Sequence, residues 1–211
     1  MRHIMVLNAK GGSGKTTLAT NLASHFANEG HKVVLADFDP QESSLGWLAV
    51  RGVGRPPIIG VAAHSEALRT PRDTEYVIMD PPAAVHGRDL ANLLRKAETI
   101  LIPVLPSPID MRAAAKFVEE VKASAPVTGN KAKIALVANR AREVTNIYWE
   151  LEEFLKGLKV PFLTHLRDSM NYIRAAERGI GIFEMAPYAT GIDREQWEPI
   201  IKWLASKRSQ P

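Results

Sequence analysis

Apolar residues fall in two rhythms along this chain. The runs Val33-Val34-Leu35-Ala36, Val77-Ile78-Met79 and Ile134-Ala135-Leu136-Val137 lack the alternation of a half-exposed strand, which predicts strands covered on both faces. Strands are expected over His3–Asn8, Lys32–Ala36, Ile58–Val61, Tyr76–Met79, Thr99–Val104 and Lys133–Val137. Between the first two, Leu18, Leu22, Ala23 and Phe26 recur at helical spacing, so Lys15–Glu29 is predicted as a helix that Gly30 closes. Further helices are predicted over Met111–Ser124, Asn146–Leu158, Ser169–Arg178 and Glu195–Lys207. Strand and helix in alternation define an α/β class: a doubly wound, mostly parallel sheet flanked by helices. Residues 51–72, rich in Gly, Pro and Ala, show no clear period beyond the short strand.

Length and composition narrow this picture. At 211 residues and 45% hydrophobic composition, the chain suits a single domain over residues 1–211. No segment approaches the roughly 18 uninterrupted apolar residues of a spanning helix, so a soluble, cytoplasmic protein is expected. The absence of cysteine excludes disulfides, thiolate zinc sites and cysteine-ligated iron–sulfur clusters. A net charge of +4 and a pI near 9.4 permit contact with nucleic acid or an anionic membrane without selecting either.

The chemistry is concentrated after the first strand, in Lys10-Gly11-Gly12-Ser13-Gly14-Lys15-Thr16-Thr17. Glycines let successive backbone N–H groups converge on phosphate oxygens, and the helix opening at Lys15 adds the positive end of its dipole. Lys15 would reach the β- and γ-phosphates, and the Thr16 hydroxyl would coordinate Mg²⁺. An ordinary P-loop has glycine where this chain has Lys10. The run resembles the deviant Walker A motif of the ParA/MinD family. The resemblance implies that Lys10 crosses a nucleotide-sandwich dimer to touch the partner's ATP, where it would stabilise charge on the transferring phosphoryl group.

The same resemblance extends to Asp37-Phe38-Asp39-Pro40-Gln41 at the end of the second strand. It implies that Asp39 orients the attacking water, with Asp37 supporting either the Mg²⁺ shell or the loop. Asp80 ends another buried strand, the Walker B position that holds Mg²⁺, and Pro81-Pro82-Ala83 resembles the family's switch segment. Leu101–Asp110, with prolines at 103, 106 and 108, is similar to a segment of the short ParF-type partition ATPases that helps form their ATP-dependent dimer; a rigid crossover is the alternative. Asn139-Arg140 falls where the family recognises adenine.

Family members that carry clusters or metalloids need cysteines, which this chain lacks. The reading is therefore a ParA-type ATPase. It uses ATP and Mg²⁺, forms a homodimer when ATP-bound, binds non-specific DNA on the nucleoid, and answers to a cargo-bound, ParB-like adaptor that stimulates hydrolysis. Arg142, Arg167, Arg174 and Arg178 are the candidate DNA contacts, with Arg140, Lys202, Lys207 and Arg208 as further cations of the same half. A MinD-type membrane switch would instead use the terminal helix, whose Trp197, Ile200, Ile201 and Leu204 share a face, although that spacing also suits a helix packed on the core. A metabolic ATP-dependent ligase is the third alternative.

Overall fold

In the computed structural model, which describes residues 1–142 and 146–211, seven strands form one parallel sheet in the order β3-β2-β4-β1-β5-β6-β7. The strands are β1 (Arg2–Val6), β2 (Val33–Asp37), β3 (Ile58–Ala62), β4 (Tyr76–Asp80), β5 (Thr99–Val104), β6 (Lys133–Ala141) and β7 (Phe162–Arg167). Every pairing is parallel. The helices are α1 (Lys15–Asn28), α2 (Ser43–Ala49), α3 (Gly87–Leu94), α4 (Pro108–Lys122), α5 (Ala125–Thr128), α6 (Asn146–Gly157), α7 (Met170–Glu177) and α8 (Pro187–Ala205).

Strand alternation divides the core in two. Met5 and Leu7 join Val34, Met79, Ile102 and Leu136 on one face, beneath Leu94 of α3, Phe117 of α4 and Leu151 of α6. Ile4 and Val6 join Leu35, Ile78 and Val137 on the other, beneath Leu18 and Leu22 of α1 and Trp197 and Ile200 of α8. Fully burying each such aliphatic side chain contributes about 1.5–3 kcal/mol, so both layers are held by their facing stripes.

The expected strands are present within a residue or two at most ends. The helices α2, α3 and α5 and the strand β7 were not expected, and β6 and α8 extend beyond their expected bounds. β6 continues to Ala141, which carries Asn139 and Arg140 to the sheet edge. β7, at the end of the sheet, contains the polar Thr164, His165 and Arg167, so it lacks the apolar signature of the central strands. α8 begins at Pro187, where a proline at the first turn costs no hydrogen bond, eight residues before the predicted start. Trp197, Ile200, Trp203 and Leu204 of α8 are buried against the sheet, so the apolar face of the terminal helix is used in the core. Among the described residues no helix is long and apolar enough to cross a membrane.

Pro103 sits inside a central strand without penalty. β1 stops at Val6, and the carbonyl of Pro103 accepts instead from the Asn8 side chain, 2.6 Å away. Pro108 opens α4, which Ser107 caps by accepting from the Asp110 N–H.

Candidate functional site

In a parallel sheet, all loops that follow strands gather along one edge, and ligands bind there. The loops after β1, β2, β4 and β6 enclose a cleft of about 480 Å³. Its walls are Gly11, Gly12, Gly14, Lys15, Thr16 and Thr17 from the first loop, and Asp39, Gln41 and Ser43 from the second. Pro81, Pro82 and Ala83 follow β4, and Arg140 ends β6.

The phosphate loop is shaped by two left-handed glycines, Gly12 (φ 75°) and Gly14 (φ 94°). Gly14 is also where Asn139 passes. The Asn139 Nδ2 donates to the Ser13 carbonyl at 2.8 Å, and a Cβ on Gly14 would stand 2.0 Å from that nitrogen. The buried Asn139 therefore holds β6 against the phosphate loop, a role its expected place beside adenine did not reveal. A second tie runs from the Ala84 N–H to the Ala9 carbonyl, at 2.6 Å, and fixes the segment after β4 to the same loop.

Lys15 is buried at the start of α1. Burial lowers its pKa, which Asp80 and then Asp39 partly counteract. Neither acid reaches it within ion-pair distance among the described residues. A desolvated cation facing a cleft lined by a glycine-rich loop fits a phosphate group.

Asp80 is in the reverse position. Burial pushes its carboxyl up to about 7, against a hydrogen bond from Thr16 and the nearby Lys15, while Asp37 adds repulsion. Its Oδ1 is buried without a hydrogen-bond partner. An orphaned carboxylate oxygen beside a threonine hydroxyl fits a Mg²⁺ ion, which takes one or two protein oxygens and completes its shell with phosphate and water. No cluster of three His, Cys, Asp or Glu able to hold a metal occurs among the described residues.

The two acids after β2 separate in role. Asp37 is fully buried, and its carboxylate accepts from the Asp39 N–H (2.9 Å), the Ser44 N–H (3.0 Å), the Ser44 hydroxyl (2.7 Å) and the Leu45 N–H (3.3 Å). Both oxygens accept hydrogen bonds that bend the chain into α2, the loop-supporting arm of the expectation for Asp37. Asp39 lies in the cleft wall; its Oδ1 accepts from the Gln41 N–H at 2.9 Å. Ser44, which gives Asp37 two of these bonds, had no signature of its own in the sequence.

Lys10 does not line this cleft. Its backbone N–H donates to Asn8 Oδ1 at 2.9 Å, and its ammonium meets Asp110 at the start of α4.

A profile of the CobQ/CobB/MinD/ParA nucleotide-binding domain matches residues 4–182, which include every wall of the cleft. The chain belongs to this family. The ParA/MinD-type architecture recurs in solved structures. Cyanothece McdA in its ATP complex superposes with a TM-score of 0.73 at 16% identity, over 95% of this chain and 96% of that one. MinD in the MinC:MinD complex of Aquifex aeolicus does so at 0.70 and 16%, over 96% of each. By sequence, the maintenance of carboxysome distribution protein A of Halothiobacillus neapolitanus is 30% identical over 190 residues, 86% of this chain and 87% of that protein.

Beside the phosphate cleft, and sharing Thr17 and Arg140 with it, lies a second hollow of about 390 Å³ lined also by Asn139, Tyr172, Ile173 and Ala176. Trp197 Nε1 donates to the Tyr172 hydroxyl at 3.0 Å, and burial raises the phenol's pKa well above its ordinary value.

The basic residues divide by partner. Arg167 grips the fully buried Asp193 through Nε (2.7 Å) and an Nη (2.9 Å), and Asn171 adds a third bond to that acid at 2.7 Å. The guanidinium thus neutralises an acid that would otherwise be stranded, a structural tie that its reading as a DNA contact did not include. Arg142 pairs with Asp168 at the surface, and Lys202 with Glu198. Arg174 on α7 and Arg178 just past its C-terminus are exposed.

Proposed function

We propose that the protein is a ParA-type positioning ATPase: ATP drives a sandwich dimer that holds non-specific DNA, and a cargo-bound adaptor stimulates hydrolysis to release it. The observation that carries this reading is the division of labour between two lysines of one loop. Lys15 is buried in the wall of its own phosphate cleft, whereas Lys10 stands outside that cleft. A lysine held away from its own phosphate cleft is available to another protomer's nucleotide.

The triphosphate lies along Gly11–Thr17 with Lys15 on its β- and γ-groups, and the base enters the adjoining hollow between Asn139 and Tyr172. When bound, Mg²⁺ neutralises charge between the phosphates; Thr16 and Asp80 are the residues that would hold it. Asp39 accepts a hydrogen bond from the attacking water and aims it at the terminal phosphorus. Closure of the second protomer expels solvent and brings Lys10 to the phosphates, where its charge is worth more than in water.

For DNA, the exposed Arg174 of α7 and Arg178 at its C-terminal cap are the proposed phosphate contacts, with Arg142, directly after β6, as a third. The carboxysome-distribution relative supports the positioning part of this reading. Core packing of α8 speaks against the membrane-switch alternative. The test is co-sedimentation of the Asp39→Ala protein with non-specific DNA and with anionic liposomes, each with ATP, ADP or no nucleotide. Retention on DNA that needs ATP and weakens with salt supports the proposal; retention on liposomes alone, or on neither, rejects it.

A further inference from the structure

We infer that Asp110 holds Lys10 within its own protomer and so competes with the partner's nucleotide for it, which makes Asp110 a positioning residue of the dimer-assembled site. This rests on the proposed cross-protomer use of Lys10.

The geometry is that of a fixed acid and a mobile base. Lys10 Nζ lies 2.5 Å from Asp110 Oδ1, with the lysine side chain 39% exposed and the aspartate side chain 11%. Asp110 is locked at the first turn of α4. Its N–H donates to Ser107 Oγ at 3.1 Å, its second carboxylate oxygen meets the same hydroxyl, and Pro108 sets the backbone of the turn. Apart from this ion pair, among the described residues the lysine is anchored at its backbone, through Asn8, and its four-carbon arm can swing once the pair opens.

Such a pair can open without stranding a charge. When Lys10 leaves, Asp110 keeps the Ser107 hydroxyl and the positive end of the α4 dipole. The ammonium therefore transfers when something more negative than one carboxylate is presented to it. A complete triphosphate brought by a second protomer meets that condition better than a diphosphate does. The ion pair thus raises the threshold for dimerisation, so that the dimer forms on ATP and not on ADP.

The experiment measures the dimer dissociation constant of Asp39→Ala and of Asp39→Ala/Asp110→Asn in ATP by analytical ultracentrifugation. A half-exposed pair lost at each of two lysines should tighten the dimer by about fivefold per lysine, on the order of 25-fold in total. Asp110→Glu, which restores the charge, should return the constant toward the parent. An unchanged or weaker dimer in Asp110→Asn overturns the inference, while a parent that fails to dimerise in ATP rejects the cross-protomer reading and the latch with it. If Asp110→Asn does not fold, amine acylation of the nucleotide-free, unsubstituted protein decides. Lys10 should react several-fold more slowly than the exposed Lys131 and Lys159 at low salt and approach them at high salt. Equal rates at low salt overturn the latch.

Discussion

Adding one methyl group at Gly14 gives a sharp test of how the phosphate loop is built. The residue sits at φ 94°, ψ 21°, where an L side chain costs roughly 1–2 kcal/mol. Its new Cβ would lie 2.0 Å from Asn139 Nδ2, too close to survive, so the amide must leave the Ser13 carbonyl it now bonds at 2.8 Å. Leaving that buried pair unsatisfied adds about 1–3 kcal/mol. Gly14→Ala should therefore cost about 2–5 kcal/mol, a large share of the 5–15 kcal/mol typical of a domain. Urea unfolding of a double-mutant cycle isolates the cause. Asn139→Ala alone loses the hydrogen bond but also removes the clash, so Gly14→Ala/Asn139→Ala should be destabilised by clearly less than the sum of the single changes. Strict additivity would refute the argument, because it would mean that the two residues do not meet.

The remaining expectations concern charge. Asp80 is raised to about 7 from an ordinary 3.8, so the folded state holds a proton that the unfolded chain has released. Its stabilising contribution is complete below about pH 4 and is lost as pH rises through about 7, by roughly 4 kcal/mol at most. Unfolding of the nucleotide-free Asp80→Asn protein should lack that fall between pH 4 and 8, and a retained slope would assign it to another group. Lys15→Ala should abolish nucleotide binding, measured by fluorescent-ATP titration; normal affinity would remove Lys15 from the phosphate site. Arg167→Ala should destabilise the fold by about 3–5 kcal/mol by stranding Asp193. Arg174→Glu/Arg178→Glu, on an exposed helix face, should change stability by less than about 1 kcal/mol while weakening DNA retention, and the reverse pattern would exchange their roles.

The strands that were legible in advance are those whose surroundings are uniform. Val33–Ala36, Val77–Met79 and Ile134–Val137 lie between two helical layers, and their apolar runs say so. β7 was not legible, because an edge strand with Thr164, His165 and Arg167 mixes polar and apolar positions without a clean period. α8 was legible only from Glu195 onward, since Gly191 and the polar residues of its first turns mask a start set by Pro187. In the site, the placement of the glycine loop before α1 and of Asp80 at the end of β4 was readable because local spacing alone dictates it. The separate fates of Asp37 and Asp39 were not, for they depend on Ser44 and Leu45 folding back onto one carboxylate. The engagement of Arg167 by Asp193, 26 residues away in the chain, and of Lys10 by Asp110 needed the three-dimensional arrangement in the same way.

The central claim is a nucleotide-controlled switch between one protomer and two, and mass measurement tests it most directly. Light scattering of the Asp39→Ala protein should report about twice the 23.2 kDa chain mass in ATP and Mg²⁺, the single-chain mass in ADP, and the single-chain mass in ATP once Lys10→Ala is added. A mass that is the same in ATP and ADP, or a dimer indifferent to Lys10, would contradict the account.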